Sequence, residues 1–285
     1  MNESRILIIG SNGQLGKALQ AKYPQAVAVD REEFDMTNWD KVSSYDWSKV
    51  DLILNAAAYT NVDGAETSEG RKLAWSINAV GASYLAKVAA EYNMTLVHIS
   101  SDYVFDGTQE LHTEDEPFAP LGVYGQSKAA GDIAVSTAPK HYILRTSWVI
   151  GDGPNFVRTM VGLAGKDVSP TVVADQIGRL TFTGTLVDAI DHLLSSNAIP
   201  GTYNVSNEGD PASWADITRA IFQALGREDL TVSDTTTADY YASKEDIAPR
   251  PLQSTLNLDK IKSTGFSPTD WQAELKKYIE GDSKI

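Results

Sequence analysis

In the stretch VYGQSK, residues 123–128, Tyr124 stands four residues before Lys128, and a helix would set both side chains on one face. A phenol beside an ammonium suits proton transfer. Tyrosine ordinarily titrates near about 10, and a neighbouring positive charge lowers that by roughly 1–3 units, toward the pH at which it works. The spacing alone decides little, because Tyr45/Lys49 and Tyr240/Lys244 repeat it. What sets the 124/128 pair apart is its company. Ser100, Ser101 and Asp102 follow the apolar run TLVHI at the carboxyl end of a candidate strand, and VYGQSK opens a candidate helix after the next loop. Ligands of open α/β sheets bind beyond the carboxyl ends of the strands, so strand end and helix can converge there. The chemistry such a set performs is carbonyl reduction. Tyr124 protonates the oxygen as a hydride reaches the carbon, Ser101 holds the oxygen, and Lys128 tunes the phenol and binds the nicotinamide ribose. A positioned acid of this kind contributes about 10² to 10⁴ in rate.

The elements that must position these groups can be read from periodicity. Apolar β-rich runs at 5–10, 26–30, 50–59, 95–100 and 141–150 alternate with helical patterns at 13–23, 71–93 and 123–136. Near-continuous apolar strands between helices predict a parallel sheet covered on both faces, a Rossmann-type doubly wound α/β fold. Beyond about residue 150 the pattern loosens. Helices are predicted at 183–196 and 213–226, the latter with Ser213 as cap, and a short strand at 201–207. The division expected is a cofactor-binding domain over 1–150, with segments returning at about 176–207. A smaller substrate lobe would take most of 151–285, with a discontinuous border.

GSNGQLG, residues 10–16, places Gly10, Gly13 and Gly16 between the first strand and the first helix, the context in which this spacing cradles a pyrophosphate on a helix N-terminus. Asp30 closes the second strand, where a carboxylate accepts hydrogen bonds from adenosine ribose hydroxyls and favours NADH. Arg31 follows, and a guanidinium holds a 2′-phosphate, so NADPH is equally open. Ala56, Ala57 and Ala58 at the end of the third strand allow a ribose to lie against the backbone.

Composition narrows the class. The chain of 285 residues carries a net charge of −14, which argues against nucleic acid and anionic membranes as partners. There is no cysteine, which removes thiolate chemistry, and the four histidines are scattered without a ligand pattern. The opening MNESRILIIG lacks the long apolar core of a signal peptide, and no run reaches the roughly 18 apolar residues of a membrane span. A cytoplasmic protein is expected.

Together GSNGQLG, NAAAYTNVD, SSDYVFDG, VYGQSK, RTSWV and RPLQSTL resemble the extended short-chain dehydrogenase/reductase family, and within it the dTDP-4-dehydrorhamnose reductases, over nearly the whole chain. The resemblance implies NADPH- or NADH-dependent reduction of a dTDP-4-keto-6-deoxy sugar. It implies that Asn12, Gly13, Gln14 and Leu15 meet the pyrophosphate, that Asp35 and Met36 flank the adenine, and that Ser101, Asp102, Tyr103, Tyr124 and Lys128 form the reaction site. Val62 would touch the sugar. Trp148 would face the sugar or its base, or else sit in the core. Arg250, between two prolines, would meet the nucleotide phosphates or make a surface salt bridge. Three departures stand out. Ser101 replaces a usual threonine, keeping the hydroxyl. Leu180 replaces a proline in QIGRLT, which predicts a looser loop. Ala18 replaces a glutamate used in a magnesium-bridged dimer, so no metal is required and a monomer or weak dimer is expected. The competing readings are another nucleotide-sugar 4-ketoreductase, a 4-epimerase or 4,6-dehydratase, and a cofactor-binding regulatory subunit. Dehydratases place Glu where Tyr103 stands, and regulatory relatives tend to lose the Tyr/Lys/Ser set that is intact here.

Overall fold

The computed structural model describes residues 2–245 and 247–281. Six parallel strands form the main sheet: β1 (Ile6–Ile9), β2 (Val27–Val29), β3 (Leu52–Asn55), β4 (Thr95–Ser101), β5 (His141–Thr146) and β6 (Gly201–Asn204). Their spatial order is β6-β5-β4-β3-β1-β2. The order reverses at β1, where β2 lies to one side and β3 to the other, and this opens a crevice beyond their carboxyl ends.

The central strands β1 and β3 are almost wholly apolar because both faces are covered, whereas β2 at the sheet edge leaves Val27 exposed. In β1, Ile6 and Ile8 enter one core while Leu7 and Ile9 enter the other. Helices α1 (Gln14–Lys22) and α6 (Thr183–Ser195) cover the first face, through Leu15, Leu19, Leu186 and Ile190. On the second face α3 (Ala82–Glu91) supplies Leu85, Ala86, Val88 and Ala89. Each large aliphatic side chain so buried contributes about 1.5–3 kcal/mol. A third core joins α5 (Phe156–Ala164), α7 (Trp214–Ala224) and α8 (Trp271–Gly281) through Val157, Met160, Ile217, Ile221, Phe222 and Trp271. The serine cap expected at 213 is present as a full capping box with Asp216.

Two elements depart from the sequence pattern. The helix expected over 71–93 comprises α2 (Ser68–Ala74), a π-helical stretch Trp75–Gly81, and α3. The run 141–150 is not one strand. It breaks after Thr146, and Trp148 sits at φ 47° before a two-residue strand, Val149–Ile150. The segment around Leu180 is firmly held. Leu180 is fully buried in the third core, Ile177 N donates to Leu252 O at 2.8 Å and Thr181 N to Trp148 O at 3.1 Å.

Helix α4 (Val123–Val135) carries Tyr124, Lys128 and Asp132 at successive four-residue steps.

Candidate active site

The glycine loop is built by close approach. Gly10 has φ +82°, and a Cβ there would lie 2.6 Å from Ala57 N. A Cβ on Gly16 would lie 2.1 Å from Gly10 O. Both positions therefore exclude other residues. Gly13 caps α1 without a side chain, so the first-turn amides face outward, as an anion requires. The Asp30 carboxylate accepts from Asn12 N at 2.9 Å and Arg31 N at 2.7 Å, which ties the end of β2 to the loop. Beside it lies a hollow of about 280 Å³ lined by Gly10, Asp30, Arg31, Asp35, Met36 and Ala57.

A larger cleft of about 590 Å³ continues across the loop and shares Gly13, Ala56 and Ala58 with the hollow. It brings together Asn12, Gln14 and Leu15 with Val62, Ser101, Asp102, Tyr103, Tyr124, Lys128 and Trp148. Together the two spaces form one elongated groove that could hold a dinucleotide. One wall is the segment 152–154. Gly151 N donates to Gln14 Oε1 at 2.8 Å, and Tyr278 OH donates to Gly151 O at 2.9 Å.

The reactive groups are buried, and burial governs their charge. Lys128 is 1% exposed and its Nζ donates to Ile99 O at 2.5 Å. Burial pushes its pKa down to about 8, against the pull of the Asp132 carboxylate. The Tyr124 ring is partly open to the cleft, but its phenol end is deep. Burial pushes it up to about 12; a hydrogen bond with Ser101 opposes this, and the Asp102 and Asp132 charges add to it. The sequence predicts a phenol lowered by Lys128, whereas here desolvation dominates and raises it. Burial likewise pushes Asp102 up to about 6, with hydroxyls of Ser254 and Ser101 pulling the other way. Ser101 Oγ donates to Asp102 Oδ1 at 3.0 Å.

Beneath the cleft, Asp132 pairs with Arg145 at 3.1 Å, both buried, and the guanidinium lies over the rings of Phe105 and Phe118. His98 pairs with Asn55 at 3.0 Å, and burial holds the imidazole neutral, well below its ordinary pKa. Asn55 in turn accepts from Ala57 N at 3.2 Å and fixes the alanine turn.

Trp148 lines the cleft and also packs: its ring stacks on Trp214 at 3.8 Å, and a Cβ on Gly178 would come within 3.0 Å of it. Arg250 does not line the cleft. It pairs with Asp63 at 2.8 Å and stacks on Tyr241. The other two Tyr/Lys repeats lie elsewhere. Lys49 is exposed and pairs with Asp46, and Lys244 rests over the exposed Tyr240 ring. Phe34 and Ile77 of the hollow, and Lys17, Thr60 and Asp152–Pro154 of the cleft, are not singled out by the sequence reading. Only Gly-Asp-Gly-Pro at 151–154 carries a local signal, that of a tight turn. Among the described residues no group of acidic or histidine side chains could hold a metal, and no helix is long and apolar enough to cross a membrane.

Fold and cleft define an NAD(P)-dependent oxidoreductase of the short-chain dehydrogenase/reductase type. The family model described as RmlD substrate binding domain matches residues 4–283. The chain is 40% identical over 293 residues to the dTDP-4-dehydrorhamnose reductase of Aggregatibacter actinomycetemcomitans, covering 96% of this chain and 97% of that one. The crystal structure of dTDP-4-dehydrorhamnose reductase from Bacillus anthracis in complex with NADP superposes with a TM-score of 0.89 at 35% identity, covering 98% and 99% of the two chains. A probable dTDP-4,6-dihydroxy-2-methyloxan-3-one 4-ketoreductase of Streptomyces antibioticus is 35% identical, covering 96% of this chain and 94% of its own length. The chain belongs to the dTDP-4-dehydrorhamnose reductase family.

Proposed function

We propose that this chain reduces the 4-keto group of dTDP-4-dehydro-6-deoxy-L-mannose, the L-lyxo-4-hexulose, to dTDP-L-rhamnose with NADPH or NADH. The observation that carries this reading is the convergence of Ser101, Tyr124 and Lys128 on one cleft that also contains the glycine-loop residues. Gly10, Asn12, Gly13, Gln14 and Leu15 would hold the pyrophosphate. Asp30, Arg31, Asp35, Met36 and Ala57 would hold the adenosine end, and Ala56 and Ala58 the groove between.

The cofactor, when bound, supplies a hydride to the carbonyl carbon. As charge gathers on the oxygen, Tyr124 gives it the phenolic proton. A phenol raised to about 12 is protonated at neutral pH, as a donor must be. The oxygen it serves becomes an alkoxide, a stronger base than a phenolate, so the transfer runs downhill. Ser101 turns its single proton from Asp102 to the same oxygen. Lys128 stabilises the phenolate left behind and would hydrogen-bond the nicotinamide ribose. Val62, Tyr103 and Trp148 border the sugar, and Asp102 accepts from one of its hydroxyls. Arg250 serves the substrate end through Asp63, on the loop that carries Val62.

The test is a spectrophotometric assay on the hexulose, made in situ, with each reduced cofactor at saturation. Stoichiometric oxidation with dTDP-rhamnose as product supports the reading and ranks the cofactors. Binding of cofactor without turnover would exclude it. The Streptomyces relative motivates one control, a different dTDP-linked 6-deoxy-4-keto sugar as substrate. Faster turnover of that sugar would reassign the substrate and leave the chemistry in place.

A further inference from the structure

Gly122 is the cap of α4, and it offers no side chain to the helix it opens. The cap comes from elsewhere in the chain. Glu66 Oε1 accepts from the Val123 amide at 2.8 Å. The first turn of a helix presents unpaired amides and the positive end of the dipole, so a carboxylate there stabilises it twice over. Val123 immediately precedes Tyr124.

Glycine at 122 is not required by the backbone, whose φ of −122° and ψ of 175° suit any residue. What glycine leaves is room for the carboxylate. A Cβ at 122 would lie 2.7 Å from Glu66 Oε1 and 3.4 Å from Pro249 Cδ. A side chain at 122 and the Glu66 carboxylate thus compete for one volume. The loop 61–66 that ends in this carboxylate also places Val62 in the cleft, and its Asp63 pairs with Arg250 and accepts from Ala248 N at 3.1 Å. In the first turn of the helix, a Cβ on Gly125 would lie 2.1 Å from Tyr103 O, so the helix start is pressed against the turn Asp102–Val104 that follows Ser101.

We infer that Glu66 is a positioning residue for Tyr124. It fixes the first turn of α4 against the loop after β3, and so sets where the phenol stands relative to the carbonyl oxygen. The inference rests on Tyr124 as proton donor. It explains why the helix bearing that tyrosine begins with a residue unable to cap it.

The experiment compares Glu66→Ala, Gly122→Ser, the double variant and Glu66→Gln, with Tyr124→Phe as reference. Misplacing a reacting group by about an ångström costs up to 10²-fold, so Glu66→Ala should lower kcat about 10- to 100-fold while the dinucleotide Kd and the KM stay unchanged. Gly122→Ser alone should also lower kcat, because its hydroxymethyl group and the retained Glu66 carboxylate crowd one volume and push the first turn out of place. The double variant should recover most of kcat, since the serine then caps from its own position. Glu66→Gln keeps an acceptor oxygen and should retain most activity. Wild-type kcat in Glu66→Ala with an inactive Tyr124→Phe would overturn the positioning role and leave the donor reading standing. Additive losses in the double variant would also overturn it. Full turnover in Tyr124→Phe would sink the donor reading itself.

Discussion

Tyr124 and Lys128 ordinarily titrate close together, and burial separates them: the phenol rises to about 12 while the ammonium falls to about 8. Lys128 is therefore the first of the pair to lose its proton as pH rises. A lysine whose pKa is lowered is charged below that value and neutral above it, so kcat/KM should fall as pH climbs through about 8, and Lys128→Met should abolish this limb. A wild-type profile flat through that range would exclude Lys128 as the titrating group. Tyr124→Phe should lose about 10² to 10⁴ in turnover. Cofactor binding, followed by fluorescence titration, should persist. At this scale the meeting of Ser101, Tyr124 and Lys128 in one cleft was legible in the sequence but their charge states were not. Which of three Tyr/Lys repeats faces that cleft followed from neighbours such as Ser101. That desolvation outweighs the lysine's charge depends on how deep α4 lies, and no local pattern encodes depth.

Among the elements, the short strands β1 to β5 were readable because most are buried on both faces and so carry largely apolar runs. The breaks were not. NAAAY continues the third run in composition, yet Asn55 ends the strand because its side chain turns to His98 and Ala57. The π-helical stretch has Asn78 at its centre, whose side chain bonds the Tyr59 backbone and Ser127. Those partners are distant in sequence. Trp148 interrupts the fifth run in a backbone region that costs about 1–3 kcal/mol, offset by its stack on Trp214. Aromatic pairs contribute about 0.5–1.5 kcal/mol beyond burial. Trp214→Leu should thus raise the KM for the sugar nucleotide by about 2- to 10-fold and leave kcat unchanged. An unaltered KM would show that the strand break alone holds Trp148.

The molecule as a whole carries a net charge of −14, yet both proposed ligands are anions. Their approach is opposed by the global field and favoured locally near the α1 N-terminus, Lys17, Lys128 and Arg31. Raising ionic strength from about 0.01 to 0.1 M shortens the screening length from about 30 to 10 Å, so kcat/KM should rise. A fall would mean that local cations govern encounter. The doubly wound core was legible from alternating runs. The third core was not, because its helices assemble from segments as far apart as Val157 and Leu275.

The edge position of β6 carries a consequence for biogenesis. Its residues, Gly201–Asn204, pair with β5 only after the intervening chain has folded back through α5 and α6. During synthesis β5 therefore emerges as an unprotected edge, and the main sheet stays one strand short until residue 204 leaves the ribosome. An isolated fragment 1–150 should aggregate through the β5 edge and bind a cross-β dye, whereas a fragment 1–207, whose third core still lacks α7 and α8, should not bind the dye. Slow translation between these points would prolong the exposure.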